Sequence, residues 1–211
     1  RVNTLITHIQ AYLYQKKEWS PYQEGAFAPA LCNRIDRNTG GIVIAAKTAE
    51  GLRVMNQKIR DRERKKYYLC IVHGTLPRPA GRLEGYILKD EAKKQVTVSS
   101  RPRPGAKTAV TLYETLAVRN GLSLVRCQLI TGRTHQIRAQ FAAAGHPLLG
   151  DGKYGSERQN KRYGRSYQAL YSYRLEFCFT TDAGALAPLD GQQFQVEQVD
   201  FVTEYFPGFS L

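Results

Sequence analysis

Hydrophobic positions along the chain follow two periods, and the elements can be read from them. Residues 4–16 place Leu5, Ile9, Tyr12 and Lys16 at helical spacing, with Asn3 or Thr4 available as the cap. A polar loop with glycine and proline follows, from Lys17 to Pro29. GIVIAAK (41–47) is a short apolar run and reads as a buried strand. AEGLRVMNQKIR (49–60) puts Leu52, Met55 and Ile59 on one helical face, and YYLCIVHG (67–74) is a strand closed by Gly74. LPRPAGRLEG reads as a turn-rich connection. TAVTLYETLAVR and LSLVRCQLI are two strands joined by Asn120-Gly121, the strongest short-range hairpin signal. Thr131 and Gly132 break the second strand. THQIRAQFAAAG then reads as a helix capped by Thr134, with Ile137 and Phe141 one turn apart and Gly145 as its stop. YSYRLEFCF (171–179) alternates like a half-buried strand, and QQFQVEQ (192–198) does so more weakly. Strands outnumber helices and neighbouring strands are hairpin-linked, so an α+β domain around a mixed, mainly antiparallel sheet is expected.

Charge changes this picture more than composition does. The 211 residues carry a formal charge of +13, and no Lys or Arg follows Arg174, where six acids remain. Residues 1–174 therefore hold 31 − 12 = +19. KIRDRERKKYY (58–68) and KYGSERQNKRYGRSY (153–167) concentrate it, the second with three tyrosines interleaved. Basic runs mixed with aromatics suit a phosphate backbone whose bases can stack, so RNA or DNA is the expected partner. No run of apolar residues approaches the length of a membrane span and the first residues lack a signal peptide, so a cytoplasmic protein without membrane contact is expected. Cys32, Cys70, Cys127 and Cys178 form no CxxC pair, so buried reduced thiols are expected, and a metal site is not.

Phosphate-binding and hydrolase motifs are missing from the sequence: it has neither GxxxxGK[ST] nor GxSxG, and GDGKYG (150–155) reads as a turn. Two carboxylates stand in distinctive settings, Asp36 in CNRIDRNTGG and Asp151 in LLGDGKYG. Asp36 lies between Arg34 and Arg37, where adjacent positive charge favours the ionised form. The glycines after it, Gly40 and Gly41, would let a ligand approach the backbone. An ordinary turn aspartate bonded to its own backbone fits the local pattern as well. GRTHQIR (132–138) is similarly open, as an anion site at a helix start or as a salt-bridged surface. His135, between Arg133 and Arg138, reads as a fixed polar contact rather than a general base.

Three segments, NRIDRNTGGIVIAAK (33–47), KYYLCIVHG (66–74) and LITGRTHQIRAQFAAAGHPLLGDGKYG (129–155), resemble in order and spacing the signatures of the RluA-like RNA pseudouridine synthases, of the large-subunit rRNA type. The resemblance implies an isomerase that converts uridine in rRNA or tRNA to its C-glycoside, on a fold with flanking helices and a central catalytic cleft. It implies no cofactor and no metal. Asp36 falls at the family's catalytic aspartate, Tyr68 at the tyrosine that contacts the uracil, and Arg138 at the arginine that pairs with the aspartate. Arg34 falls at the arginine associated with flipping the target nucleotide. Arg37, Lys66, Arg133, His135 and Gln136 are expected to join it in holding RNA.

The sequence departs from the family pattern at Asn33, where His is usual, at Thr39-Gly40-Gly41, where Thr-Ser-Gly is frequent, and at Gln140, where His is common. The family's opening strand with its Lys-Pro motif, and the small RNA-binding domain that many members carry before it, are not among these residues. The whole of 1–211 is therefore read as one catalytic domain without those parts, acting as a monomer. Two rivals remain at this point: an N-glycosidase acting on RNA through Asp36, and an RNA-binding module that kept the fold without the reaction.

Overall fold

The computed structural model describes residues 3–211. The chain forms two compact units, each assembled from separated segments: the first from Arg1–Ile35, Val43–Arg64 and Glu176–Gln193, the second from Asp36–Ile42, Lys65–Leu175 and Phe194–Leu211. Each is closed by segments distant in sequence, which is why no boundary is visible along the chain.

In the first unit, α1 (Leu5–Gln15) starts at Thr4, whose side chain accepts from the Thr7 N–H in a capping box. Of the helix only Leu13 is buried, while Leu5 and Tyr12 stand exposed. Two short strands, β1 (Ala30–Leu31) and β3 (Ala45–Ala46), pair antiparallel. The strand expected over 41–47 is thus broken. Its first end, β2 (Gly40–Gly41), belongs to the second unit and pairs parallel with Tyr171–Ser172. The run changes partner midway, and apolar periodicity cannot show that. Helix α2 (Ala49–Arg60) is capped by Thr48, as its sequence suggests. Its buried side is Gly51, Val54, Met55 and Lys58 rather than the expected Leu52, Met55 and Ile59 stripe.

Lys58 explains the shift. Its side chain is 1% exposed, and its Nζ donates to Glu63 Oε2 at 2.7 Å and to the carbonyl and hydroxyl of Thr181 at 2.6 and 2.7 Å. Glu63 in turn accepts from the Thr180 N–H and from the hydroxyls of Thr180 and Thr181. The hydrogen bond from Lys58, helped by those threonines against the cost of burial, holds the Glu63 carboxyl down at about 2. The first cation of the basic run 58–68 is therefore core, not surface.

The second unit is built on the sheet. Strands β4 (Arg64–His73), β5 (Ala80–Asp90), β6 (Gln95–Ser99), β7 (Lys107–Arg119), β8 (Leu122–Leu129), β9 (Leu170–Phe177) and β10 (Gln193–Gln195) lie in the order β10-β9-β4-β8-β7-β5-β6, with β2 added on β9. The β4/β8, β8/β7, β7/β5 and β5/β6 pairs are antiparallel, giving the mixed, mainly antiparallel sheet expected. Asn120 and Gly121 both have positive φ, at 50° and 75°, and turn β7 into β8.

The expected turn-rich link over 76–85 becomes strand from Ala80, pairing Ala80 with Glu114 through Ile87 with Lys107. A Cβ on Gly81 would lie 2.8 Å from the Tyr113 hydroxyl, so the glycine is there for close strand packing. Strand β4 is buried on both faces, which makes its sequence a continuous apolar run. Leu69 and Ile71 pack with Leu122, Leu124, Phe201 and Phe206 on one face. Tyr68, Cys70 and Val72 pack with Val125, Ile137 and Phe141 on the other. Helix α3 (Gln136–Ala143) therefore covers the face that carries Tyr68. A short helix, α4 (Glu157–Arg162), and the C-terminal α5 (Asp200–Tyr205) complete the unit, while a 3₁₀ turn over Gly184–Leu189 belongs to the first. Among the described residues no helix is long and apolar enough to cross a membrane. Of the cysteines, Cys70 and Cys127 are buried with their sulfurs 3.7 Å apart, but Cys32 and Cys178 are only half-buried.

Candidate active site

Two turns in the second unit deliver the charged groups. The first carries Asp36 and is tightened by the Thr39 N–H donating to the Asp36 carbonyl and by Asn38 at a φ of 65°. Gln168 fixes it from outside, its amide nitrogen reaching the Arg37 carbonyl at 2.6 Å and Thr39 Oγ1 at 3.3 Å. Gly40 and Gly41 do not wait for a ligand. A Cβ on Gly41 would meet the Ser172 backbone at 2.2 Å, so the glycines let the Asp36 turn lie directly against β9.

The second turn leads into α3. Thr134 does not cap this helix. The N-cap is His135, at a φ of 51° and without a side-chain cap bond. That is a left-handed conformation uncommon outside glycine, and here its surroundings support it. The surroundings are a buried polar net. Gln136 is 2% exposed; its amide oxygen accepts from the Thr131 hydroxyl and the Arg133 N–H, while its nitrogen donates to the Val110 carbonyl and the Thr111 hydroxyl. Its whole amide is used inside the protein, so the expected RNA contact at Gln136 is replaced by a brace that sets the start of α3. Gln140 serves likewise, donating to the carbonyls of Leu83 and Ala109 and accepting from Thr111.

Arg138, on the first turn of α3, joins two carboxylates. Its Nε and one terminal nitrogen grip Asp151 side-on at 2.7 and 2.9 Å, and its other terminal nitrogen stands 3.5 Å from Asp36 Oδ2. The side chains of Arg138, Asp151 and Asp36 are 7%, 0% and 19% exposed. Burial works against the charge on Arg138, but the bonds and field of Asp151, with Asp36 behind them, leave it held above the usual arginine value. Burial likewise opposes the charge on Asp151, and the Arg138 guanidinium with the N–H groups of Lys153 and Tyr154 overcomes it, holding this carboxyl below its usual range. The sequence reading paired Arg138 with Asp36 alone. Its firmer partner is Asp151, a carboxylate singled out in the sequence but given no role there.

The remaining candidates lie as follows. Tyr68 is 6% exposed, and Lys66 Nζ sits over its ring at 5.6 Å from the centre. Arg34 and Arg37 are exposed. Arg133 is half-buried and donates through Nε to the Thr108 carbonyl. His135 meets the Tyr154 hydroxyl through Nδ1 at 2.8 Å. Loss of solvent around the ring, with Arg138 and Lys153 nearby, outweighs the pull of Asp36 and Asp151 and keeps His135 below the usual histidine range, so it is neutral near pH 7. In the basic run 153–167, Lys161 pairs with Glu157, and Arg165 with Asp200 and Glu204 of the acidic C-terminal stretch. The charge of that run is thus partly neutralised within the protein. Among the described residues no cluster of three or more His, Cys, Asp or Glu could hold a metal ion.

Comparison with known proteins places these residues in a family. Residues 5–143, which contain Asp36, Tyr68 and Arg138, match the RNA pseudouridylate synthase family. The uncharacterized RNA pseudouridine synthase MG370 of Mycoplasma genitalium is 38% identical over 156 residues, covering 72% of this chain and 47% of that protein. Ribosomal large subunit pseudouridine synthase D of Borreliella burgdorferi is 31% identical over 175 residues, covering 83% of this chain and 51% of its own. The chain spans about half the length of these curated relatives. Among solved structures, human RNA pseudouridylate synthase domain containing 4 superposes with a TM-score of 0.71 at 22% identity, over 95% of this chain and 82% of that one. That likeness agrees with the fold. The match over 5–143 takes in the turn of Asp36, the strand of Tyr68 and the helix of Arg138, and on it the chain belongs to the RNA pseudouridylate synthase family.

Proposed function

We propose that this chain isomerises uridine to pseudouridine in RNA, with Asp36 as the catalytic carboxylate. The observation that carries the reading is the shared guanidinium. Arg138 is locked on a wholly buried Asp151 and still presents a nitrogen to a partly exposed Asp36. The reaction breaks the N1–C1′ bond, turns the uracil and rejoins it through C5; N1 gains a proton and C5 loses one, so the mass is unchanged. An anionic oxygen can open this sequence at the sugar carbon, at a sugar proton or on the pyrimidine, and Asp36 supplies one in each case. Arg138 aims it. Tyr68 holds the loose uracil, and Arg34 takes the place of the nucleotide drawn from its stack, a step that costs a few kcal/mol. Arg37, Lys66, Arg133 and His135 grip the flanking RNA, and the charge of +19 over residues 1–174 favours that binding. Large-subunit rRNA is the favoured substrate, supported by the names of relatives such as the Borreliella burgdorferi protein. The enzyme is read as a cytoplasmic monomer that uses neither cofactor nor metal.

The test is tritium release from uridine labelled at C5, in transcribed large-subunit rRNA and in a tRNA pool. Asp36→Asn should cut release by roughly 10⁴-fold or more, since nucleophile and base both need the charge. Its melting temperature and RNA affinity should stay close to those of the parent. Substantial release by folded Asp36→Asn protein would remove Asp36 from the chemistry. Free uracil in place of pseudouridine would make the protein a glycosidase.

A further inference from the structure

Tyr154 is the residue where three segments of the second unit meet. Its hydroxyl accepts from the Val96 N–H at 2.9 Å and contacts His135 Nδ1 at 2.8 Å, and the Arg138 guanidinium carbon lies over its ring, 5.3 Å from the centre. Val96 is on β6, the last strand of the sheet order, so the N–H it offers Tyr154 belongs to the sheet's edge. Two more bonds tie the same turn to the β5–β6 hairpin: Lys153 Nζ donates to the Lys94 carbonyl at 2.7 Å, and Gln95 donates to the Lys153 carbonyl at 3.5 Å. We infer that Tyr154 is a positioning residue that fixes the tilt of the Arg138 guanidinium towards Asp36 and ties that tilt to the β5–β6 hairpin.

The geometry of the fork is the reason. Asp151 holds Arg138 along one edge, through Nε and one terminal nitrogen. Two parallel bonds along an edge fix its place but leave the group able to rock about it. Rocking moves the opposite corner most, and that corner is the nitrogen 3.5 Å from Asp36. A ring against the guanidinium opposes the motion through cation–π attraction and contact. The ring is itself held by its hydroxyl. That oxygen accepts from the Val96 N–H and shares a second hydrogen bond with His135 Nδ1, so the ring is pinned from two sides. Burial raises the Tyr154 phenol above its usual range, so the proton stays on it. Lys93 and Lys94 are exposed at the hairpin tip, where phosphates can reach them. RNA seated on the hairpin would then bear on the same hydroxyl that orients Arg138.

The experiment compares Tyr154→Phe, which keeps the ring, with Tyr154→Leu, which loses it. Only its kinetic arm rests on the pseudouridine reading. With either C5-tritiated RNA, Tyr154→Leu should lower kcat about tenfold and Tyr154→Phe about threefold, with KM unchanged within about twofold. Independently of activity, nitrogen-15 NMR should show the Arg138 Nε–H exchanging slowly in the parent and faster in Tyr154→Leu. A rise in KM at constant kcat would make Tyr154 an RNA contact and overturn the inference. So would a lower melting temperature with kcat and the Arg138 signal unchanged, which is a purely structural role. If the parent releases no tritium from either RNA, the pseudouridine proposal fails and the Arg138 signal alone decides: faster exchange in Tyr154→Leu upholds the positioning role, and no change ends it.

Discussion

Lys58–Glu63 in the first unit and Arg138–Asp151 in the second are both cation–carboxylate contacts of 2.7 Å between side chains almost wholly withdrawn from water. What differs is the remaining valence of the cation. The ammonium of Lys58 has three protons, and Glu63, the Thr181 carbonyl and the Thr181 hydroxyl take all three. Nothing is left for a ligand, and the pair acts as a clasp between α2 and the 180s segment. The guanidinium of Arg138 has five protons, and Asp151 takes two along one edge. Its opposite side faces Asp36, whose carboxylate is still partly open to solvent. A saturated pair holds the fold. An unsaturated one holds the fold and keeps a directed charge in reserve.

Asp151→Asn tests the second half of that contrast and should have the larger effect. An amide can accept one Arg138 bond but cannot return the charge, so the guanidinium loses its fixed edge. We expect kcat to fall about a hundredfold with RNA affinity within about threefold, because a small misplacement of a reacting group costs about that much. The check is single-turnover tritium release beside an RNA-binding titration. Equal losses in both would mean that Asp151 supports the RNA surface instead of aiming Asp36.

The two pairs also show what the chain reveals unaided. The hairpin at Asn120-Gly121 was legible because its signal is local: both residues adopt positive φ. Asp36, Tyr68 and Arg138 stood out as candidates because each sits in a segment that resembles a family signature in order and spacing. Lys58 was hidden, since one of its partners, Thr181, lies 123 positions away and makes sense of the cation only after folding. Asp151 drew notice as an isolated carboxylate, but its pairing with Arg138 depends on a turn beyond the end of α3. Strand from Ala80 to Gly85 was masked by its glycines, which serve the packing of β5 against its neighbours. The cap of α3 moved from Thr134 to His135 because a buried glutamine net, not local propensity, sets that backbone.

The clasp should fail differently. Lys58→Met leaves Glu63 in its buried site with only the two threonines, and breaking a buried pair from one side is strongly destabilising. We expect a melting temperature about 10 °C lower, with kcat below that temperature within about twofold of the parent. Calorimetry with the tritium assay on one preparation reads both. A large loss of kcat in a folded Lys58→Met protein would erase the distinction between clasp and site.

The smallest effect is on acid stability, and its sign follows from Glu63. Its folded-state value of about 2 lies below the ordinary 4.5, so the unfolded chain binds the proton more readily. Stability from this group is fully present above about pH 4.5 and drains away as the pH falls towards 2. Asp151 is also held below its ordinary value, so it adds a loss of the same sign, beginning below its ordinary 3.8. The parent's melting temperature should therefore drop on acidification from pH 5 to about pH 3, while Lys58→Met, which lacks the bond most responsible for lowering Glu63, should show a flatter decline. Parallel curves for the two proteins would mean that the threonines, and not Lys58, hold the Glu63 charge. The clasp would then be a hydrogen-bonded carboxylate beside a cation, and the contrast with Arg138–Asp151 would rest on the arginine alone.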